Sequence, residues 1–161
     1  MSYCYLPSCC ADGSLIPMPQ KDASTGISPS QIDDLRLRAL AAAANAYAPY
    51  SHFRVGAAVI LDDGNIVTGC NVENASYRLT TCAEQTAISG AVALYGPSVR
   101  IRAIVIANLN DAASQPCGAC RQTIHEFSSP DTEVFFPEAN GSLTRSSIGD
   151  LLPHAFILEE N

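Results

Sequence analysis

The sequence predicts an α/β fold in which helices cover both faces of one central sheet. Three observations carry that expectation. Segments with helical apolar spacing alternate with short runs rich in Val and Ile, the pattern of layered α/β domains. Asp63-Gly64 stands between two apolar runs and has the residue pair of a tight hairpin. Ile101 to Ala107 is almost continuously apolar, as expected of a strand covered on both faces.

The elements follow in order. Residues 1–29 carry Pro7, Pro17, Pro19 and Pro29 among Ser, Gly and Asp, and read as an irregular extension ahead of a single domain at 30–161. Ser28 or Ser30 can cap a helix from about Gln31 to Tyr47, with Ile32, Leu35, Leu37, Leu40 and Ala43 on its apolar stripe. Pro49 ends that segment. Phe53 to Ile60 and Asn65 to Cys70 are the two hairpin strands, and Asn71 to Tyr77 is a polar loop. Thr80 or Thr81 can cap a helix over Ala83 to Tyr95, and Ile101 to Ala107 is the next strand. A helix from about Gly118 to Phe127 follows Pro116. Glu133 to Phe136 is a strand, Ala139-Asn140-Gly141 a turn, and Leu143-Thr144 a last short strand. Ser146 or Ser147 caps a final helix that reaches Leu152. The hairpin strands are expected to be antiparallel, and the later strands parallel through right-handed crossovers.

Bulk composition narrows the function. Apolar residues make up 47% of the 161 residues, enough for one well-packed core. The formal charge of −7 argues against a polynucleotide partner, because phosphate binding requires a basic surface. An uncharged nucleoside is not excluded. No apolar run approaches the ~18 residues that a membrane helix needs. The first positive charge is Lys21, without the charged start and apolar centre of a secretory signal, so a cytoplasmic location is expected. Free thiols suit that reducing compartment.

The chemistry lies in Pro116-Cys117-Gly118-Ala119-Cys120-Arg121-Gln122, taken with Cys82-Ala83-Glu84. Both pieces open expected helices, where unpaired backbone N–H groups and the positive helix end favour thiolates. Three thiolates can hold one zinc ion and leave its fourth tetrahedral position to water, the pattern of a catalytic site. Glu84 is then placed to move protons between that water and a substrate. The Cys₃ variant with a nearby glutamate is a known signature of zinc deaminases. A structural clip is the plainer alternative, with Cys70 as a fourth ligand. Cys4, Cys9 and Cys10 could form a second metal site, but without an accompanying histidine they read as structural or incidental thiols. His52, His125 and His154 lie outside both pieces and read as ordinary surface or core residues.

With these motifs in hand, the chain resembles the small cytidine deaminases of nucleoside salvage from about Tyr47 to Phe156. The resemblance rests on Tyr47 to Ala58 (YAPYSHFRVGAA), Gly69 to Tyr77 (GCNVENASY), Cys82-Ala83-Glu84 and Pro116 to Gln122. It implies a three-layer α/β/α sandwich with a mixed five-stranded sheet. It implies one zinc per subunit on Cys82, Cys117 and Cys120, with Glu84 as proton shuttle. Asn71 and Glu73 match residues that hold the ribose, Phe53 one that lines the base pocket, and Ala83 one whose backbone meets the pyrimidine. The three-cysteine subgroup is typically homotetrameric, and Ala75, Tyr77 and Phe156 fall where neighbouring subunits complete each pocket. The implied reaction is hydrolytic deamination of cytidine and 2′-deoxycytidine in pyrimidine salvage. Deamination of a cytosine-containing antibiotic such as blasticidin is an alternative. An inactive, zinc-stabilised binding protein is another.

Some positions depart from the family pattern. Gln85 replaces the arginine usual after the glutamate, and its amide is expected to hydrogen-bond a ligand sulfur. Arg78, Gln115 and the Phe156-Ile157-Leu158 end also differ, which bears on substrate breadth and subunit contacts.

Overall fold

A computed structural model describes residues 26–158; Cys4, Cys9, Cys10 and nearly all of the expected extension lie outside that range. The order of elements is α1 (Pro29–Ala43), β1 (Val55–Leu61), β2 (Ile66–Cys70), a single 3₁₀ turn (Tyr77–Leu79), α2 (Ala83–Tyr95), β3 (Ile101–Asn108), α3 (Gly118–Glu126), β4 (Glu133–Pro137), β5 (Leu143–Ser147) and α4 (Ile148–Leu151).

The five strands form one mixed sheet in the order β2-β1-β3-β4-β5. The expected hairpin β1–β2 is antiparallel, with Gly56 opposite Cys70 and Ile60 opposite Ile66. The expectation of parallel later strands holds for β3 and β4 alone. β3 runs antiparallel to β1, and β5 antiparallel to β4. For β5 the reason is connection length: a short turn through Asn140-Gly141 joins it to β4, whereas a parallel return needs a crossover of a dozen or more residues. β3, reached from β2 through α2, keeps the direction of β2 and so opposes β1.

Alternation along the strands divides the core in two. Ala58, Ile60, Ala103, Val105 and Phe135 face α1, where they pack on Leu35 and Ala39. Val59, Ile104, Ile106, Val134 and Phe136 face the other side, against Ala87 and Ile88 of α2, Ile124 of α3 and Ile148 of α4. Period-two strands with both faces covered give the three layers. Two glycines set the spacing. A Cβ at Gly56 would lie 1.9 Å from the Ala39 carbonyl oxygen, and one at Gly69 would lie 2.3 Å from the Ala87 nitrogen. Both helices therefore rest directly on strand backbone.

Helix α1 begins with a complete capping box: Ser28 accepts from the Gln31 N–H, and the Gln31 side chain accepts from the Ser28 N–H. It ends at Ala43, short of the expected Tyr47. Tyr47 is instead drawn into an isolated bridge with Val72, on the border of the candidate site.

Candidate metal centre and pocket

Cys82 is the N-cap of α2 and Cys117 the N-cap of α3; neither side chain caps its own helix. Thr80 and Thr81, the hydroxyls expected to cap α2, stand two and one residues too early. The sulfurs turn towards each other instead. Cys120 lies one turn inside α3 on the same face as Cys117, as residues three apart do. The Sγ atoms of Cys82, Cys117 and Cys120 all lie within 4.8 Å of one another. Those of Cys82 and Cys117 are 4.0 Å apart, about twice a disulfide bond. Cys70 is not in the cluster. Gly69 faces α2, so the next residue along β2 faces the α1 side of the sheet.

Glu84, in the first turn of α2, is 5% exposed. Burial raises its pKa, against hydrogen bonds from its own backbone N–H and from the Cys120 thiol, which lower it. Among the sulfurs, hydrogen bonding from Cys120 lowers the Cys82 pKa to about 7, against desolvation and the Glu84 charge. Cys120 is driven the other way by the same hydrogen bond and by its burial. Three thiols and a carboxyl this close cannot all ionise without a cation among them. A dication held by three thiolates resolves the conflict, and Zn²⁺ is the ion that this donor set suits.

The expected Gln85 contact with a ligand sulfur is not formed. Its half-buried side chain makes no hydrogen bond among the described residues. Arg121 is also turned away. Its guanidinium donates to the carbonyls of Pro116 and Leu151, at 2.9 and 3.0 Å, and ties α3 to the preceding loop and to α4.

A cavity of about 440 Å³ opens in front of the cluster. Cys82, Ala83, Glu84 and Cys117 form its floor, and Phe53 and Asn71 are among its walls. Asn71 accepts from the Val55 N–H at 2.9 Å and donates to the Phe53 carbonyl at 2.8 Å. One amide N–H and one oxygen lone pair remain for a ligand. Glu73 lines an adjoining cavity that shares Ser51 and Thr80 with the first. Its carboxylate accepts from the Tyr50 and Ser51 N–H groups and from the Ser51 hydroxyl. The Ser51 hydroxyl hydrogen bond is the main cause of its lowered pKa. Tyr77, although 81% exposed, lines the adjoining cavity beside Glu73, whereas Ala75 and Phe156 line neither cavity and Phe156 is 71% exposed. Phe156 nevertheless has a fixed backbone, because Gln122 donates to its carbonyl and accepts from its N–H.

The sequence reading missed the opposite wall, where Ala113, Ser114 and Gln115 line the cavity. Only Gln115 had drawn notice, as a departure. Small polar residues before a proline carry no signal beyond that of a loop.

Residues 29–136 match the family described as the cytidine and deoxycytidylate deaminase zinc-binding region. The chain belongs to this family. It is 42% identical to the cytidine deaminase of Halalkalibacterium halodurans over 123 residues, 76% of this chain and 91% of that protein. It is 46% identical to a probable cytidine deaminase of Dictyostelium discoideum, over 71% of this chain and 76% of that one. The crystal structure of cytidine deaminase from Burkholderia pseudomallei superposes with a TM-score of 0.69 at 46% identity, covering 77% of this chain and 98% of that one. The enzyme from Mycobacterium tuberculosis gives 0.69 at 42% identity, covering 78% and 97%. Family membership and the Cys₃ cluster agree on zinc. No helix among the described residues is long and apolar enough to cross a membrane.

Proposed function

We propose that this family member is a zinc-dependent cytidine deaminase that converts cytidine and 2′-deoxycytidine, with water, to uridine and 2′-deoxyuridine and ammonia. The observation that carries this reading is a buried carboxylate, Glu84, beside three convergent sulfurs at the floor of a cavity of nucleoside size. The relatives' names support the same substrate class.

Cys82, Cys117 and Cys120 would hold the zinc, whose contribution when bound is Lewis-acid activation of water. Glu84 takes a proton from the attacking water as oxygen bonds to C4 of the cytosine. It returns that proton to ring N3, then carries the remaining hydroxyl proton to the exocyclic amine. The C4–N bond breaks and ammonia departs. A pKa raised by burial suits a group that must both accept and give up a proton. Phe53 packs on the base, and the Ala83 backbone meets its polar edge. Asn71 and Glu73 bond the sugar hydroxyl with the valences left by their loop contacts. None of these contacts requires a 2′-hydroxyl, so both sugars are accepted.

Residues 30–161 would form the catalytic unit, with 1–29 as an extension. In a homotetramer, Ala75, Tyr77 and Phe156 would close a neighbour's pocket, which fits their exposure. A role in cytoplasmic pyrimidine salvage follows from that substrate. The test is the absorbance change of cytidine with purified protein, with zinc measured on the same sample. Turnover with about one zinc per chain supports the reading; zinc-loaded protein that leaves cytidine unchanged refutes it.

A further inference from the structure

The last backbone bond between the β1 and β3 sides of the sheet is donated by the Leu109 N–H to the Arg54 carbonyl, at 3.1 Å. Beyond it the two chains part. Asp111 takes a left-handed conformation (φ 50°), and the chain swings out to form the cavity wall at Ala113 to Gln115. Across from it, His52 is also left-handed (φ 58°), just before Phe53. These are the two described non-glycine residues with positive φ. Such conformations persist where the surroundings enforce them.

The side chain of Asn110 spans the gap. Its Oδ1 accepts from the Arg54 N–H at 2.9 Å, and its Nδ2 donates to the His52 carbonyl at 3.0 Å. An amide side chain thus stands in for the peptide group that the departing backbone removed, and it grips the chain on both sides of Phe53. Behind it, Asn108 is 8% exposed and uses all of its hydrogen-bonding capacity. Its Oδ1 accepts from the N–H groups of Asn110 (2.8 Å) and Ala112 (3.4 Å). Its Nδ2 donates to the Ala112 carbonyl (2.6 Å) and the Ser114 hydroxyl (2.8 Å).

We propose that Asn110, backed by Asn108, is a positioning residue that sets the distance between the Phe53 wall of the pocket and the Ala113–Gln115 wall. The inference rests on the deaminase reading only for the identity of the ligand. Neither asparagine is among the cavity-lining residues, so both act through others.

Asn110→Asp is the sharpest variant. It keeps the acceptor for Arg54 and replaces the donor to His52 with a repelling oxygen. Because Asn110 is exposed, the core is untouched. The measurements are KM and kcat for cytidine, Kd for uridine by calorimetry, Tm, and amide exchange at Phe53 and Arg54 in Asn110→Ala. Loss of one positioning hydrogen bond is expected to raise KM and Kd by about three- to tenfold, with a smaller change in kcat and little in Tm. Exchange at Phe53 and Arg54 should rise in Asn110→Ala. KM and Kd within about twofold of wild type, unchanged exchange, or a fall in Tm and kcat at constant Kd would each overturn the proposal. Should the wild-type protein leave cytidine untouched, the deaminase reading falls, while the exchange data still decide whether Asn110 orders the Phe53 wall.

Discussion

Glu84 combines a proton-transfer task with an address that water hardly reaches. Replacing it by Gln keeps shape and burial but removes the exchangeable charge. Turnover of cytidine is expected to fall by about 10²–10⁴-fold, the usual contribution of a positioned acid–base group, with zinc content unchanged. A variant that turned over normally would remove Glu84 from the proton-transfer role. Glu73 works differently, as a latch whose main partner is the Ser51 hydroxyl. Its folded pKa lies below the ordinary 4.5, so its contribution to loop closure is complete above that pH and is lost as pH falls through the lowered value. Ser51→Ala removes the largest cause of the lowering. The acid-side loss of substrate affinity should therefore begin at a higher pH in the variant, measurable as KM against pH. Identical acid limbs would count against the latch. The carboxylates and sulfurs were legible because their residue types and spacing are uncommon together. Asn108 and Asn110 were not, since asparagines after a strand are ordinary turn residues and their partners lie as far as 58 positions away.

Each helix of the site contributes mainly through its first turn. Cys82 and Cys117 occupy the cap positions of α2 and α3, which brings two sets of unpaired N–H groups to one point. Propensity favours hydroxyls at such positions, which is why Thr80 and Thr81 are the expected caps of α2, although the expected helix bounds, Ala83 to Tyr95, are the observed ones. Helix and strand types were legible from periodicity. Pairing direction was legible for the hairpin and for β3 with β4, but not for β3 with β1 or β5 with β4, because it depends on which strands become neighbours and local pattern does not encode that choice. Gly69 links the sheet to the site. Its missing Cβ lets α2 sit on the backbone of β2, and a methyl there would meet Ala87 N at 2.3 Å and Ala83 O at 2.6 Å. Gly69→Ala is expected to lower stability by about 1–3 kcal/mol in denaturant melts. It should also weaken zinc retention, because Ala83 adjoins Cys82. A stable variant with normal zinc affinity would separate the sheet contact from the metal site.

At the scale of the molecule, two segments hold large apolar side chains out in solvent. Tyr77, Leu79, Phe156, Ile157 and Leu158 are each more than 60% exposed. Burying one such large side chain contributes about 1.5–3 kcal/mol, so association is the natural use for them. Phe156→Ala should weaken the proposed homotetramer in sedimentation experiments and raise KM for cytidine, while leaving the zinc cluster intact. A wild-type protein that sediments as a monomer would refute this arrangement.

The other end of the domain is held by an unrelated device. Glu133, 6% exposed, accepts from the Ile27 N–H at 3.0 Å and pairs with Arg145 at 2.6 Å, while Arg102 donates to the Gly26 carbonyl. Glu133 lies beside Ala103, early in β3, whereas the cavity opens beyond the finish of that strand. Helix α1, 15 residues and so about 22 Å long, separates this anchor from the Gly56 region near the pocket. Cargo fused directly to Gly26 in place of residues 1–25, such as an affinity tag or a fluorescent reporter, would thus be moored on the side remote from the entrance and should not shade incoming nucleoside.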